Sequence, residues 1–205
     1  MSEYLIKEES LVEFADVVRD KFMDYTACVG LVEQRDNLDS VTIPPGTTSI
    51  GGFAFAECLS LRHIIIPDSV TSIGDYAFQN CTSLASIIVP DSVRYIDIQP
   101  FYGCSSLIEA TTGVCSSGIF YYCDNLAKVT FSDAAKYIYG NFFYECPNLD
   151  DIYIKSSTPP TLYDSSHNYL SNITAIHVPV GSGGAYKSAT NWSYDAAKIV
   201  EDIEI

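Results

Sequence analysis

The chain has 205 residues, of which 47% are hydrophobic, and its formal net charge is -15. This composition can bury a core, which excludes a disordered segment. The negative charge would repel phosphate backbones and anionic lipids, so neither nucleic acid nor a membrane surface is expected as a partner. No segment approaches the roughly 18 apolar residues of a spanning helix, so membrane insertion is not expected. The opening MSEYLIKEES lacks the apolar region of a secretory signal peptide.

The first predicted element is a helix over residues 10–25. Ser10 and Glu13 have the spacing of a capping box, in which each side chain satisfies a backbone N–H at the start of a helix. One face of this helix is apolar and comprises Leu11, Phe14, Ala15, Val18, Phe22 and Tyr25. Such a helix needs an apolar surface on which to pack.

A repeat of 23 residues follows the helix. Residues 47–69 read TTSIGGFAFAECLSLRHIIIPDS and residues 70–92 read VTSIGDYAFQNCTSLASIIVPDS, without a gap between the two blocks. Five Cys form one column of the repeat, with Phe three residues before each, Leu three after, and mostly Ile eight before. The Cys column is Cys58, Cys81, Cys104, Cys123 and Cys146, and Cys115 occupies an Ile position. The step from Cys104 to Cys123 is 19 residues, which predicts a shortened connection.

The pattern L-x-x-I-x-I/V predicts one short strand in each repeat. In the second block Ile87 and Val89 would point inward, whereas Ser86 and Ile88 would point outward. Partial repeats at residues 38–44 and 173–179 bring the number of predicted strands to about seven, a parallel ladder about 30 Å long. One repeat buries too few side chains to fold alone, so the repeats must stack, and the N-terminal helix would cap the first coil.

The motif I-G-x-x-A-F-x-x-C-x-x-L-x-x-I-x-I/V-P, complete at residues 50–67 and 73–90, resembles the BspA-like leucine-rich repeats. The resemblance implies a right-handed solenoid with the strand ladder on its concave face, and a bacterial protein that is extracellular or on the cell surface. It divides the chain into an N-terminal segment at 1–36, leucine-rich repeats at 37–157, and a C-terminal partial repeat with a cap at 158–205.

The sequence predicts no catalytic residue, metal site or cofactor. One Cys per coil cannot surround a metal ion, and seven Cys cannot all pair, so the column is interpreted as buried free thiols. Gly181, Gly183 and Gly184 are similar to a phosphate-binding loop, but the accompanying Lys-Ser/Thr pair is absent. We therefore interpret these glycines as a turn of the terminal cap.

The outward strand positions form two columns that make the candidate binding surface. Its centre is Ile65 and Ile88, which are apolar where polar residues would suffice, and its rim is polar. The candidate residues are His63, Ile65, Ser86, Ile88, Glu109 and Thr111. Alternatively, the two Ile stabilise the sheet through cross-strand contact. A second candidate surface is the convex side, which carries Tyr76, Tyr102, Tyr121, Tyr122 and Tyr144.

These observations predict a non-enzymatic scaffold that binds a protein or a glycan. By resemblance, its role would be adhesion or host interaction. The alternative is a structural module of a larger assembly, such as a phage tail part or an oligomer, in which the N-terminal helix is the docking element.

Overall fold

The computed structural model describes residues 38–204, apart from residues 115, 117, 140, 141, 164–169 and 171. The helix predicted over residues 10–25 and the Ile position occupied by Cys115 lie outside the described residues. The described strands, in chain order, are β1 Ser40–Thr42, β2 Ser49–Ile50, β3 His63–Ile65, β4 Ser72–Ile73, β5 Ser86–Ile88, β6 Tyr95–Ile96, β7 Glu109–Thr112, β8 Lys128–Phe131, β9 Tyr137–Ile138, β10 Asp151–Ile154, β11 Thr161–Leu162, β12 Ala175–Pro179 and β13 Ile199–Ile203.

Eight parallel strands form what we call the main ladder. β1 pairs with β3, and the order β5-β7-β8-β10-β12-β13 makes a six-stranded sheet. Seven of these strands are the predicted ones, and their parallel stacking confirms the predicted solenoid. β13 was not predicted, because it belongs to the terminal segment and does not repeat the L-x-x-I-x-I/V pattern.

A second ladder runs along another side of each coil. β2, β4 and β6 pair in parallel, as do β9 and β11, and each of these strands has two residues. Their second residues are buried and include Ile50, Ile73 and Ile96. The sequence identified this Ile column as core but predicted only one strand per repeat, because two residues are too few to show an alternating pattern.

The core consists of columns of equivalent side chains from successive coils, and the Phe column contains bulky aromatic rings. Phe78 is fully buried, and its ring centroid lies 5.1 Å from that of Phe55 and 5.1 Å from that of Phe101, with interplanar angles of 1° and 8°. The Phe101 and Phe120 centroids are 5.6 Å apart. Phe78 and Phe101 therefore each have an aromatic partner on both sides, which a single coil could not provide.

The Cys column is buried as free thiols, as predicted. The Cys81 thiol donates to the Phe55 carbonyl at 3.1 Å, and Cys104 and Cys123 repeat this contact with Phe78 and Phe101 at 3.2 and 3.3 Å. Burial raises the pKa of the Cys104 and Cys123 thiols well above their ordinary value, and raises the pKa of Cys146 to about 12. These thiols stay protonated and hold adjacent coils together.

The 19-residue repeat is accommodated by a tight turn at Gly113. β7 and β8 keep the register Glu109↔Lys128 across the deletion. Because this repeat is shorter than the others, the turns on either side of it come close together. The Ser132 hydroxyl donates a hydrogen bond of 2.5 Å to the Asp91 carboxylate. A Cβ on Gly113 would lie 2.5 Å from the side-chain oxygens of both residues, so the shortened turn requires glycine.

The last coil is closed by a short helical cap. Helix α1, Gly183–Ser188, and the 3-10 helix Trp192–Lys198 connect β12 to β13. The Trp192 Nε1 donates to the Pro160 carbonyl at 2.7 Å, and the Tyr186 hydroxyl donates to the Ser156 carbonyl at 2.7 Å. Both rings are buried in the core, so the cap gives the last coil an apolar cover with its polar atoms satisfied.

We expect Phe78→Ala to lower the free energy of unfolding by about 3–5 kcal/mol, because it removes a buried ring and leaves a cavity between two others. Phe53→Ala is the matched control, since Phe53 is 40% exposed, and it should cost about 1 kcal/mol. Urea denaturation followed by circular dichroism measures both. Equal midpoints for the two variants would contradict the assigned core.

We also expect alkaline destabilisation through the Cys column. Unfolded thiols have a pKa of about 8.5, whereas the folded pKa values are raised. Below about pH 8.5 the thiols are protonated in both states, and above it the unfolded state loses its protons first. Stability is then lost as pH rises toward the folded pKa, by about 1.4 kcal/mol per thiol and pH unit.

Urea midpoints measured between about pH 7.5 and 9.5 test this pH dependence, because the range brackets the pKa of the unfolded thiols. Cys146→Val removes one titrating thiol, so its midpoint should fall less steeply with pH than that of the parent chain. A slope that is the same in both proteins would show that the thiols are not responsible.

Candidate binding surface

The two outward columns of the main ladder are those read from the sequence. In the β1–β3 sheet the strand register aligns Ser40 with His63 and Thr42 with Ile65. In the six-stranded sheet it aligns one column, Ser86, Glu109, Lys128, Asp151 and Ala175, and a second column, Ile88, Thr111, Thr130, Tyr153 and His177. The structure extends the second column to Val200 on β13.

The candidate residues lie on three successive strands, β3, β5 and β7. Ile65 is 62% exposed and Ile88 is 67% exposed, so both side chains point away from the core. β3 and β5 belong to separate sheets, and an amide–carbonyl contact of 3.5 Å joins Ala85 to Arg62 beside them. His63 and Ile65 therefore lie on one side of a break in the ladder. Ser86, Ile88, Glu109 and Thr111 lie on the other side.

The other end of the main ladder carries a polar row that sequence reasoning did not select. The rings of Tyr153 and His177 stack with centroids 4.1 Å apart at 4°. The Lys128 Nζ lies 4.4 Å from the centroid of the Tyr153 ring. The His177 Nδ1 is 2.8 Å from Asp202 Oδ2, and its Nε2 is 3.9 Å from Asp151 Oδ1. Lys128, Tyr153 and His177 were visible as outward positions, but Asp202 belongs to the unpredicted β13.

The side chains of this polar row mainly contact one another. Tyr153 faces His177 and Lys128, so its ring is not available to stack on a ligand. His177 is only 13% exposed at its side chain and has a carboxylate at each side. The row joins β8, β10, β12 and β13, which indicates a stabilising role at this end of the ladder.

The glycine-rich turn at the C-terminal cap binds a carboxylate of its own chain. The backbone N–H groups of Gly181 and Gly183 donate to Glu201 Oε1 at 2.8 and 2.9 Å. Glu201 therefore occupies the position at which a phosphate would bind in a nucleotide-binding loop. This contact supports the interpretation of the glycines as part of the cap.

The turns that precede strands β3, β5, β7, β8 and β10 carry a row of five aromatic rings, which we call the aromatic ridge: Phe53, Tyr76, Tyr102, Tyr122 and Tyr144. Successive ring centroids are 5.4, 6.3, 5.2 and 6.0 Å apart. The backbone has positive φ at Phe53, Tyr76 and Tyr122, with values of 57°, 52° and 58°. Four of these rings belong to the Tyr set identified in the sequence, whereas a left-handed backbone is uncommon for aromatic residues.

Residues 38–204, as far as they are described, bring together no set of three or more His, Cys, Asp and Glu side chains that could hold a metal ion. In the same part of the chain, no helix has the length and apolar character needed to cross a bilayer.

Stacked parallel strands, an inward Phe-Cys-Leu-Ile core and one cap strand define a leucine-rich-repeat solenoid. The chain belongs to the BspA-type leucine-rich-repeat family, whose model matches residues 33–114 and 108–190 with 6 copies of the repeat. Repeats of this type suggest a binding scaffold. Among proteins with curated functions, none matches the chain.

Two solved structures show the same fold. The leucine-rich-repeat protein of T. pallidum is 24% identical, with a TM-score of 0.55 over 78% of this chain and 83% of that one. A leucine-rich-repeat protein of Eubacterium ventriosum is 22% identical, with a TM-score of 0.50 over 70% of this chain and 42% of that one. At these identities the similarity concerns the fold alone.

The Glu201 contact predicts opposite effects at two neighbouring glycines. A Cβ on Gly183 would lie 2.5 Å from the Glu201 carboxyl carbon, whereas a Cβ on Gly184 meets nothing within 4 Å. Gly183→Ala should therefore lower the unfolding free energy by about 1–3 kcal/mol by displacing a charged hydrogen-bond acceptor. Gly184→Ala should raise it by up to about 1 kcal/mol, because Ala favours a helix. Thermal melting compares them, and destabilisation of equal size in both variants would contradict the assigned role of Glu201.

Proposed function

We propose that this chain is a non-enzymatic scaffold that binds a protein partner through the part of the main ladder around Ile65 and Ile88. The observation that carries the proposal is the exposure of these two side chains, 62% and 67%, on the neighbouring strands β3 and β5. Full burial of each side chain by a partner would contribute about 1.5–3 kcal/mol to the free energy of binding.

The surroundings of the two Ile side chains support an interface. His63 and Glu109 are exposed, and Ser86 and Thr111 are half-buried, so hydrogen-bonding groups surround an apolar centre. An apolar centre with a polar rim is the usual arrangement of protein–protein interfaces. The far end of the ladder does not offer this arrangement, because its Tyr153–His177 row is filled by internal contacts.

The chemistry of this surface favours a protein over a glycan. Branched aliphatic side chains gain free energy by excluding water from another apolar surface, and they offer no ring face to a sugar. The outward Tyr153 ring stacks on His177 instead. We therefore place a protein first and treat a glycan as the alternative ligand.

The proposal includes adhesion or contact with a host as the setting, which rests on the family resemblance. It also keeps the division of the chain into 1–36, 37–157 and 158–205, with the repeats as the binding unit. In the alternative proposal, a structural module of a larger assembly, the helix expected at residues 10–25 would be the docking element. The Ile surface would then meet a fixed neighbour or a second copy of the chain.

Charge substitution on the main ladder tests the proposal. Ile65→Glu combined with Ile88→Lys should weaken capture of a partner by at least about tenfold, since each buried charge would cost more than the contact it replaces. Val180→Glu is the matched control, because Val180 is a 63% exposed aliphatic residue in the C-terminal cap. Partners recovered from bacterial and host-cell extracts are identified by mass spectrometry and measured again with purified components.

Circular dichroism first shows that both variants are folded, and sedimentation measures self-association. A partner that binds the double variant and the parent chain equally would exclude the Ile surface. Loss of a dimer in the double variant, without loss of any other partner, would favour the assembly module.

A further inference from the structure

The aromatic ridge is a second exposed surface that the proposed function does not use. Phe53 and Tyr122 are 40% and 42% exposed, and Tyr76, Tyr102 and Tyr144 are half-buried between them. Tyr76 with Tyr102, and Tyr122 with Tyr144, meet edge to face at 71° and 81°. In each of these two pairs the edge of one ring meets the face of the other, whereas Phe53 and Tyr76 stack at 21°.

The turns that carry the ridge are uniformly acidic. Segments 51–60, 74–83, 97–106, 118–125 and 142–148 contain no Lys or Arg. They contain five carboxylates, which are Glu57, Asp75, Asp97, Asp124 and Glu145. Glu145 follows Tyr144 directly along the chain, Glu57 follows Phe53 within the same turn, and both carboxylates are exposed. A row of rings among carboxylates, in segments without Lys or Arg, attracts cations, because both the ring quadrupole and the charge favour them.

The spacing of the ridge fits an extended polypeptide. Neighbouring ring centroids are 5.2–6.3 Å apart. Side chains on one face of an extended strand recur every second residue, about 6.6 Å apart. Cationic side chains at alternate positions of such a strand would therefore reach successive rings, with the carboxylates beside them.

We propose that the aromatic ridge binds an extended, basic protein segment in which Arg or Lys recurs at alternate positions. Arg suits the site best, because its planar guanidinium stacks on aromatic faces and donates paired hydrogen bonds to carboxylates. The ridge and the Ile surface are separate sites on the solenoid, so one chain could hold two protein segments.

A synthetic peptide that alternates Arg and Thr, with blocked ends, is the probe. We expect it to bind the full chain in a titration followed by fluorescence anisotropy, with an affinity that falls as salt rises. The same peptide with neutral citrulline in place of Arg should bind at least about tenfold more weakly, because it lacks the charge for cation–π contact. A neutral glucose oligosaccharide, tested in parallel, should not bind.

Ridge variants locate the site. Tyr122→Leu together with Tyr102→Leu should weaken peptide binding by about tenfold or more, whereas Tyr122→Phe, which keeps a ring, should bind like the parent chain. Glu145→Gln should reduce the salt dependence. Tyr194→Leu is the matched control, because Tyr194 is 75% exposed on the cap, and it should change nothing.

The outcomes separate the two surfaces. The Ile65→Glu and Ile88→Lys variant should bind the peptide normally, so failure of the Ile surface leaves the ridge proposal intact. Absence of peptide binding, equal binding of the citrulline peptide, or binding that survives the double Leu substitution in a folded protein would overturn the ridge proposal. Ridge-dependent binding of the oligosaccharide in place of the peptide would overturn it in favour of a glycan.

Discussion

The register of the coils in this solenoid depends on the contact between the Phe of one coil and the Cys of the next. The carbonyl of Phe55 accepts the backbone N–H of Cys58 in its own coil at 3.2 Å and the thiol of Cys81 in the following coil at 3.1 Å. The Phe rings of successive coils stack on one another beside these hydrogen bonds. A shift of one residue between coils would break the thiol contact and the ring stacking, so the Phe–Cys pair keeps the coils in register. Both strand ladders follow from that register.

The parts of the fold that could be predicted are those that repeat. Seven strands of the main ladder, their outward columns and the buried thiols follow from a period that superimposes Cys81 on Cys58. The two-residue strands of the second ladder were missed because a pair such as Ser72–Ile73 shows no alternation. β13 was missed because it occurs once. The hydrogen bond between Asp91 and Ser132 depends on a deletion in the coil between them, which brings together residues 41 apart.

The candidate surface was harder to predict than the fold. The sequence shows which side chains point outward, but it does not show which neighbouring side chains they contact. Tyr153 and Ile88 occupy the same column, yet Tyr153 is stacked between Lys128 and His177 while Ile88 remains 67% exposed. The difference arises from side-chain reach: a ring and a long cation can meet across a 4.8 Å strand spacing. Two Ile side chains across the break between β3 and β5 leave most of their surface in water.

Backbone strain adds a further constraint on the aromatic ridge. The left-handed position of Tyr122 is the one that Gly103 occupies in the preceding coil, and the position of Tyr76 corresponds to that of Gly118. A side chain there costs about 1–2 kcal/mol relative to glycine. An aromatic pair returns about 0.5–1.5 kcal/mol, so stacking within the ridge roughly offsets the strain. Stability alone therefore gives little reason for rings at these positions, whereas contact with a cationic partner would add a gain that glycine could not.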